Sequence, residues 1–162
     1  MIRTLFASAA AAVVLSSAAL AQDAPTVKDV KVEAEIATIQ NPLAASYWTN
    51  IAPDLTNAIL ARVSNQIADD GVNIIIDISE VELSNGVTET MNIGDTRLIG
   101  TVKMTHDTDN SRFDAYEMEV NVEQAKLFIP ADVDVTVLPA DSDVYYKAMI
   151  DTFAQGVVDR LK

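Results

Sequence analysis

The histidine of this chain stands in a short stretch that is rich in carboxylates and hydroxyls. His106 is followed by Asp107 and Asp109 within the segment His106–Ser111. An imidazole beside carboxylates is typical of either a metal site or a proton relay. A zinc site, however, needs several converging ligands, and this stretch lacks the glycine and the final glutamate of a calcium-binding loop. We therefore predict a polar turn without a bound metal.

A second group of ionisable side chains lies in the segment Val72–Leu83, which contains Asp77, Glu80 and Glu82. Paired carboxylates carry out acid–base chemistry when burial makes their pKa values unequal. The apolar alternation of this segment instead places them on the solvent side of a strand. The sequence also lacks a Gly-x-Ser-x-Gly elbow, a Ser-x-x-Lys pair and a glycine-rich phosphate loop. We accordingly expect no catalytic residue, no cofactor and no enzymatic activity.

Aromatic pairs at the starts of two predicted helices suggest binding rather than catalysis. Tyr47 precedes Trp48, and Tyr145 precedes Tyr146. One ring of each pair should pack inward, which leaves Tyr47 and Tyr145 as the predicted surface aromatics. Such rings are enriched in binding sites, although a tyrosine also anchors a core while its hydroxyl reaches solvent.

Three large apolar residues have the parity of the polar faces of their strands. These residues are Ile75, Ile99 and Phe113. We predict that they meet on that face as an interaction surface, because an exposed apolar patch marks a partner site. The alternative is that they are singly scattered apolar residues, which are ordinary on protein surfaces.

A further set of side chains suggests a different kind of site, a cavity for a small apolar ligand such as a lipid. Flexible methionines suit adaptable cavities between a sheet and its helices, and they equally fill gaps in a dry core. The residues of this set are Trp48, Met104, Met118 and Met149.

Residues 1–21 have the pattern of a secretory signal peptide. Arg3 supplies a positive start, Leu5–Leu15 is an uncharged apolar run, and Ala19–Ala21 forms an Ala-x-Ala cleavage site. We predict cleavage after Ala21, a periplasmic location and a single domain over residues 22–162. The run is too short for a membrane span, so we expect no integral membrane segment after cleavage.

Charge and cysteine content restrict the partners. The formal net charge is −13, from 11 Lys and Arg against 24 Asp and Glu. Such acidity opposes binding to nucleic acid and to anionic membrane surfaces. The chain contains no cysteine, which excludes disulfides, thiol catalysis and lipid attachment through a cysteine.

Alternating apolar residues predict four strands, the last three of them in an antiparallel meander. The alternation slips after Ile78, which predicts a bulge near Ser79 and Glu80. Leu127–Pro139 is either a short fifth strand or an extended crossing segment. The predicted strands are Val27–Ile39, Val72–Leu83, Leu98–Thr105 and Phe113–Gln124.

Apolar residues at three- and four-residue spacing predict two amphipathic helices. The first covers Asn50–Asp70, and Gly71 ends it in a left-handed conformation. The second begins at Asp141–Asp143, whose side chains suit the free amides of a helix start. Because each strand has one apolar face, both helices should cover that face. The predicted fold is an α+β two-layer sandwich, a mainly antiparallel sheet with two helices on one face, in the order β-α-β-β-β-α.

The chain resembles small periplasmic α/β accessory proteins in its element order, its export signal and the stretch Gly94–Val102. That group includes lipopolysaccharide-assembly and ABC-transport auxiliary lipoproteins, from which this chain departs by having no cysteine to lipidate. The resemblance implies a non-enzymatic accessory or protein-interaction module of the bacterial cell envelope. Its partner would be another envelope protein or a second copy of the chain. The alternative function is binding or carrying a small apolar ligand.

Overall fold

A four-stranded mixed sheet with helices packed on one side forms the fold in the computed structural model, which describes residues 25–35, 48–82, 97–134 and 142–161. The predicted α+β class is therefore confirmed. Short 3-10 turns lie at Asn110–Arg112 and Lys126–Phe128. The elements are β1 (Val27–Ala34), α1 (Ile51–Arg62), β2 (Val72–Glu82), β3 (Arg97–Thr105), β4 (Asp114–Asn121), α2 (Val122–Ala125) and α3 (Asp143–Val158).

The strands lie in the order β1-β2-β3-β4, with the first pair parallel and the other two antiparallel. The predicted meander of β2, β3 and β4 is confirmed. The first pair is parallel because α1 carries the chain back between β1 and β2. The register of β2 against β3 shifts between Ile78 and Glu80, which confirms the predicted bulge. The extra residue returns Val81 to the buried side of the sheet.

The helices pack on one face of the sheet, here called the covered face. Helices α1 and α3 contact each other, α1 also contacts β1, and α3 contacts β3 and β4. Isoleucines Ile74, Ile76 and Ile78 of β2 are buried beneath them. The opposite surface, here called the open face, is formed by the residues that alternate with those of the covered face. Within the described ranges, no helix is both long and apolar enough to cross a membrane.

Helix α1 ends at Arg62, eight residues before the predicted end at Asp70. The chain leaves the helix because its next segment pairs with the start of β1. Val27 donates its backbone N–H to the Gln66 carbonyl at 2.9 Å and accepts from the Ala68 N–H at 3.0 Å. These bonds satisfy backbone groups that a longer helix would have satisfied internally.

The predicted role of Gly71 as a left-handed helix cap is wrong, since the helix ends well before it. Gly71 lies against β1 instead, and a Cβ placed on it would stand 2.4 Å from the Val27 carbonyl carbon. Glycine is therefore needed here for close backbone approach rather than for a positive φ.

The end of β4 also differs from its prediction. The strand stops at Asn121 rather than at Gln124, because the two residues form a capping box that starts α2. The Asn121 side chain accepts from the Gln124 amide at 3.2 Å, and the Gln124 side chain accepts from the Asn121 amide at 3.0 Å. Of the segment Leu127–Pro139, the described part up to residue 134 is turn rather than strand.

The start of α3 agrees with its prediction, since the Ser142 hydroxyl accepts a bond from the Tyr145 amide at 3.2 Å. The predicted signal peptide at residues 1–21 lies outside the described residues, as does the predicted part of β1 beyond residue 35.

Candidate functional site

The turn around His106 is a hydrogen-bonded junction. Its Nδ1 accepts from the backbone amides of Thr108 at 3.3 Å and Asp109 at 3.1 Å, and its Nε2 lies 2.6 Å from the Asp70 carbonyl oxygen. Because Nδ1 accepts, Nε2 carries the proton and donates to Asp70. Nδ1 therefore stabilises the β3–β4 turn itself, while Nε2 holds that turn against the segment that precedes β2. Among the residues described, no group of three or more His, Asp or Glu could hold a metal ion.

The neighbouring carboxylates complete the same junction. Asp107 Oδ2 accepts from Lys28 Nζ at 2.5 Å, and its Oδ1 accepts from Asn73 Nδ2 at 2.8 Å. The bond from Lys28, and then the bond from Asn73, hold the pKa of Asp107 below its usual value. Asp109 accepts from both the amide and the hydroxyl of Ser111, and these bonds lower its pKa too. The cluster ties together β1, β2 and the turn that follows β3.

The strand carboxylates singled out in the sequence lie along the open face. Asp77 is exposed and pairs across the sheet with Glu33 and Thr101. Glu80 is half-buried and lies opposite Ile99. Glu82 is the last residue of β2, and its side chain lies outside the described part of the chain.

Three cross-strand rows form the centre of the open face, and their composition is uneven. The middle row is acidic, with Glu33 and Asp77 directly opposite each other, whereas the row beside it contains Lys31 and Lys103. Lys31 Nζ lies 2.5 Å from Glu33 Oε1 and links the two rows. The rows are Lys31–Ile75–Lys103–Ala115, Glu33–Asp77–Thr101–Glu117 and Glu80–Ile99–Glu119.

The register does not bring the predicted interaction residues together into one patch. Ile75 pairs with Lys103, and Ile99 lies four residues away from Lys103 along β3, which corresponds to about 13 Å. Phe113 precedes β4 and lies at the end of the sheet. The alternation of residues along each strand predicts the face on which a residue lies. The register between strands decides where along that face it lies. Ile75 and Ile99 are therefore two separate half-buried positions, and Phe113 belongs to another region.

The assignment of Tyr145 to the surface is wrong, because its side chain is 0% exposed. Tyr145, Met149, Phe153 and Val157 recur every four residues along α3, and all of them point into the core. Tyr146 is the more exposed tyrosine of the pair, and its hydroxyl donates to Asp54 Oδ2 at 2.7 Å.

The ring of Tyr146 packs edge-to-face on Trp48, with 4.9 Å between the ring centroids. Burial, followed by the bond to Asp54, raises the pKa of Tyr146. The other predicted surface aromatic, Tyr47, lies outside the described residues.

The residues proposed for an apolar ligand are part of the core. Trp48, Met104 and Met149 are buried in the main hydrophobic cluster, and Met118 packs against it. Met118 also fills the space beside Gly156, where an added Cβ would lie 3.0 Å from its Cε. Of the four, Met104 also reaches the wall of a cavity.

This cavity, here called the end cavity, was not predicted from the sequence. It has a volume of about 310 Å³ and lies where β2 begins and β3 ends, beside the C-terminal end of α3. Its lining comes from segments that are far apart in the sequence, so no local motif marks it. The lining residues are Val72, Met104, Ser111, Arg112, Phe113, Asp114, Arg160 and Leu161.

Comparison with known proteins shows faint structural likeness and no sequence match. No protein-family model matches the chain, and no curated protein matches it.

Two solved structures of the PelC dodecamer from Paraburkholderia phytofirmans are similar to it at 11% and 12% identity. They cover 80% and 78% of this chain and 87% and 88% of theirs, with TM-scores of 0.34 and 0.33. A candidate lipoprotein from Caulobacter crescentus is similar at 13% identity, over 82% of this chain and 86% of its own, with a TM-score of 0.35. The likeness extends loosely to lipoprotein-like chains, and nothing in it points to lipopolysaccharide assembly in particular.

Proposed function

We propose that this chain is a non-enzymatic accessory protein of the bacterial cell envelope that binds another protein through the open face of its sheet. The proposal includes export to the periplasm with cleavage after Ala21, and a single domain over residues 22–162. The observation that carries it is the one-sided packing of the sheet, because α1 and α3 both lie on the covered face.

The composition of the open face suits a protein partner. Ile75 and Ile99 are half-buried apolar side chains surrounded by charged residues. Protein interfaces commonly combine apolar contact points with a polar rim. Each isoleucine would lose its remaining contact with water on docking, and the surrounding charges would orient the partner.

The acidic row favours a partner with basic side chains. Glu33 and Asp77 lie directly opposite each other on β1 and β2, and like charges in that arrangement destabilise a sheet. Together with Glu35 and Ser79 they also line a hollow of about 690 Å³. Lys31 already pairs with Glu33, and cationic groups of a partner would offset the repulsion that remains. Binding should consequently weaken as salt is added, because salt screens exposed charges.

The test is affinity capture from an envelope extract with Ile99→Lys and a matched control. Leu127→Lys adds the same charge at a site that is 86% exposed in the 3-10 turn beside α3, away from the open face. We expect the wild-type chain and Leu127→Lys to capture the same protein, and Ile99→Lys to lose it, with similar melting temperatures for all three chains.

Two results would contradict the proposal. One is repeated capture of nothing specific by the wild-type chain. The other is equal capture by both variants, which would place the contact away from Ile99. A captured second copy of this chain, checked by sedimentation, would identify the partner as the chain itself.

A further inference from the structure

We propose that the end cavity binds a small anionic amphiphile, with two arginines facing its acidic head and apolar side chains enclosing its hydrocarbon part. This inference goes beyond the protein-binding role and does not depend on it, since the cavity lies at the end of the sheet rather than on the open face.

The two arginines reach the cavity from different directions. Arg112 comes from the turn before β4, and its Nη1 donates to the Asp70 carbonyl at 3.3 Å. Arg160 follows α3, and its guanidinium carbon lies 4.1 Å from the centroid of the Tyr116 ring. A guanidinium has five N–H donors, so each contact leaves most of the donors available. The stacking on Tyr116 also holds the guanidinium of Arg160 in place.

The two guanidiniums form no ion pair within the described part of the chain. Across the described ranges, no acidic side chain lies within 4.0 Å of the guanidinium nitrogens of Arg112 or Arg160. Asp114 also lines the cavity, and its Oδ1 accepts from the Ala115 amide at 2.9 Å. In a chain with a formal charge of −13, two cations in one cavity that the described residues leave without an ion pair indicate a site for an anion.

Each arginine has a structural contact, Arg112 with the Asp70 carbonyl and Arg160 with the Tyr116 ring, but neither contact explains why the two line one cavity. A cation near the C-terminal end of α3 interacts favourably with the helix dipole, which explains Arg160. It does not explain why Arg112, from a separate turn, lines the same cavity. Convergence of two guanidiniums is the arrangement that recognises carboxylate and phosphate groups.

Besides the arginines, Ser111 and Asp114, the lining consists of four apolar side chains that are incompletely covered. Val72 and Met104 form the buried part, while the Phe113 side chain is 61% exposed. A hydrocarbon chain lying on Phe113 would remove that area from water. The volume of about 310 Å³ lies at the small end of the usual range for ligand cavities, about 300–1,000 Å³. A short single-chain amphiphile fits better than a bilayer lipid.

Decanoate, kept below its micelle concentration, is the probe. We expect saturable binding, followed by amide NMR, with the shifts concentrated at Arg112, Phe113 and Leu161. Acetate has the carboxylate head group without the long hydrocarbon chain, and decan-1-ol has the hydrocarbon chain without the negative charge. Both should bind at least about tenfold more weakly than decanoate.

Charge-neutral variants test the arginines directly. Arg112→Gln and Arg160→Gln should each weaken decanoate binding about tenfold or more. The matched control is Lys147→Gln, which removes an exposed charge about 20 Å from Arg160 along α3 and should leave binding unchanged. Amide spectra that are unchanged away from the cavity establish that each variant is folded. If Arg160→Gln does not fold, the affinity of Arg112→Gln for decanoate alone tests the proposal.

Three results would overturn the proposal. They are the absence of saturable decanoate binding, equal affinity for decanoate and decan-1-ol, and an affinity for decanoate that neither arginine variant changes.

Discussion

The two faces of the sheet are built from the same strands, and they differ in what they contribute. Ile76 is 0% exposed beneath the helices, whereas Ile75, its neighbour in β2, lies half-buried on the open face beside Lys31 and Lys103. Full burial of an isoleucine contributes about 1.5–3 kcal/mol to stability. The covered face therefore carries most of the stability, and this leaves the open face free to hold charged rows that the fold does not need.

The covered face is reinforced by polar contacts between its two long helices. Arg62 of α1 pairs with Asp151 of α3 at 2.9 Å, and both side chains are largely shielded from solvent. Near the other end of the helix pair, the Tyr146 hydroxyl donates to Asp54 at 2.7 Å. On the open face, in contrast, Glu33 and Asp77 oppose each other. Polar groups thus join the two helices above the covered face, whereas the open face combines the Lys31–Glu33 ion pair with the opposed charges of Glu33 and Asp77.

The largest expected difference comes from truncating the two neighbouring isoleucines. Ile76→Ala should lower the free energy of unfolding by about 2–5 kcal/mol, because it leaves a cavity under the helices. Ile75→Ala should lower it by about 1 kcal/mol or less, since that side chain is partly in water already. Urea unfolding curves of both variants provide the measurement. Equal losses would mean that the two faces do not differ in the way described.

An intermediate effect is expected at the helix contact. Tyr146→Phe removes a bond to a carboxylate and should cost about 1–3 kcal/mol at neutral pH. The control is Tyr116→Phe, because among the residues described the Tyr116 hydroxyl is buried without a hydrogen-bond partner. Its removal should leave stability unchanged or slightly higher. A loss of stability as large as that of Tyr146→Phe would contradict the assigned contacts.

The same pair of variants predicts a dependence on alkaline pH. Burial raises the pKa of Tyr146, and it raises the pKa of Tyr116 to about 12. The unfolded chain ionises near pH 10, while the folded chain keeps both protons. Stability is therefore fully present below about pH 10 and falls as the pH rises towards 12. Either substitution should make that fall less steep in thermal melts between pH 9 and 12.

The smallest effect is expected on the open face. Asp77→Asn removes one of two opposed charges and should raise the melting temperature by about 1–2 °C. Thr101→Asn, in the same row, is the control for the added amide and should not raise it. A clear fall in the melting temperature of Asp77→Asn would show that Asp77 supports the fold rather than a partner.

The alternation of apolar residues alone predicted the strand core, the bulge after Ile78 and the face to which Ile75 and Ile76 each belong. These features follow because successive side chains of an extended strand point to opposite faces, a pattern that depends only on neighbouring residues. The cap at Ser142 was predictable for the same reason, because it depends on residues within one turn of the helix.

Tertiary structure decided the features that depend on distant partners. Pairing of Gln66 and Ala68 with Val27 ends α1 early, although the apolar spacing of a helix continues beyond Arg62. Strand register separates Ile75 from Ile99, since parity specifies a face and not a position along it. The end cavity depends on Arg112 and Arg160, whose 48-residue separation is closed only when α3 packs on the sheet. Long-range packing brings such groups together, and no local periodicity encodes it.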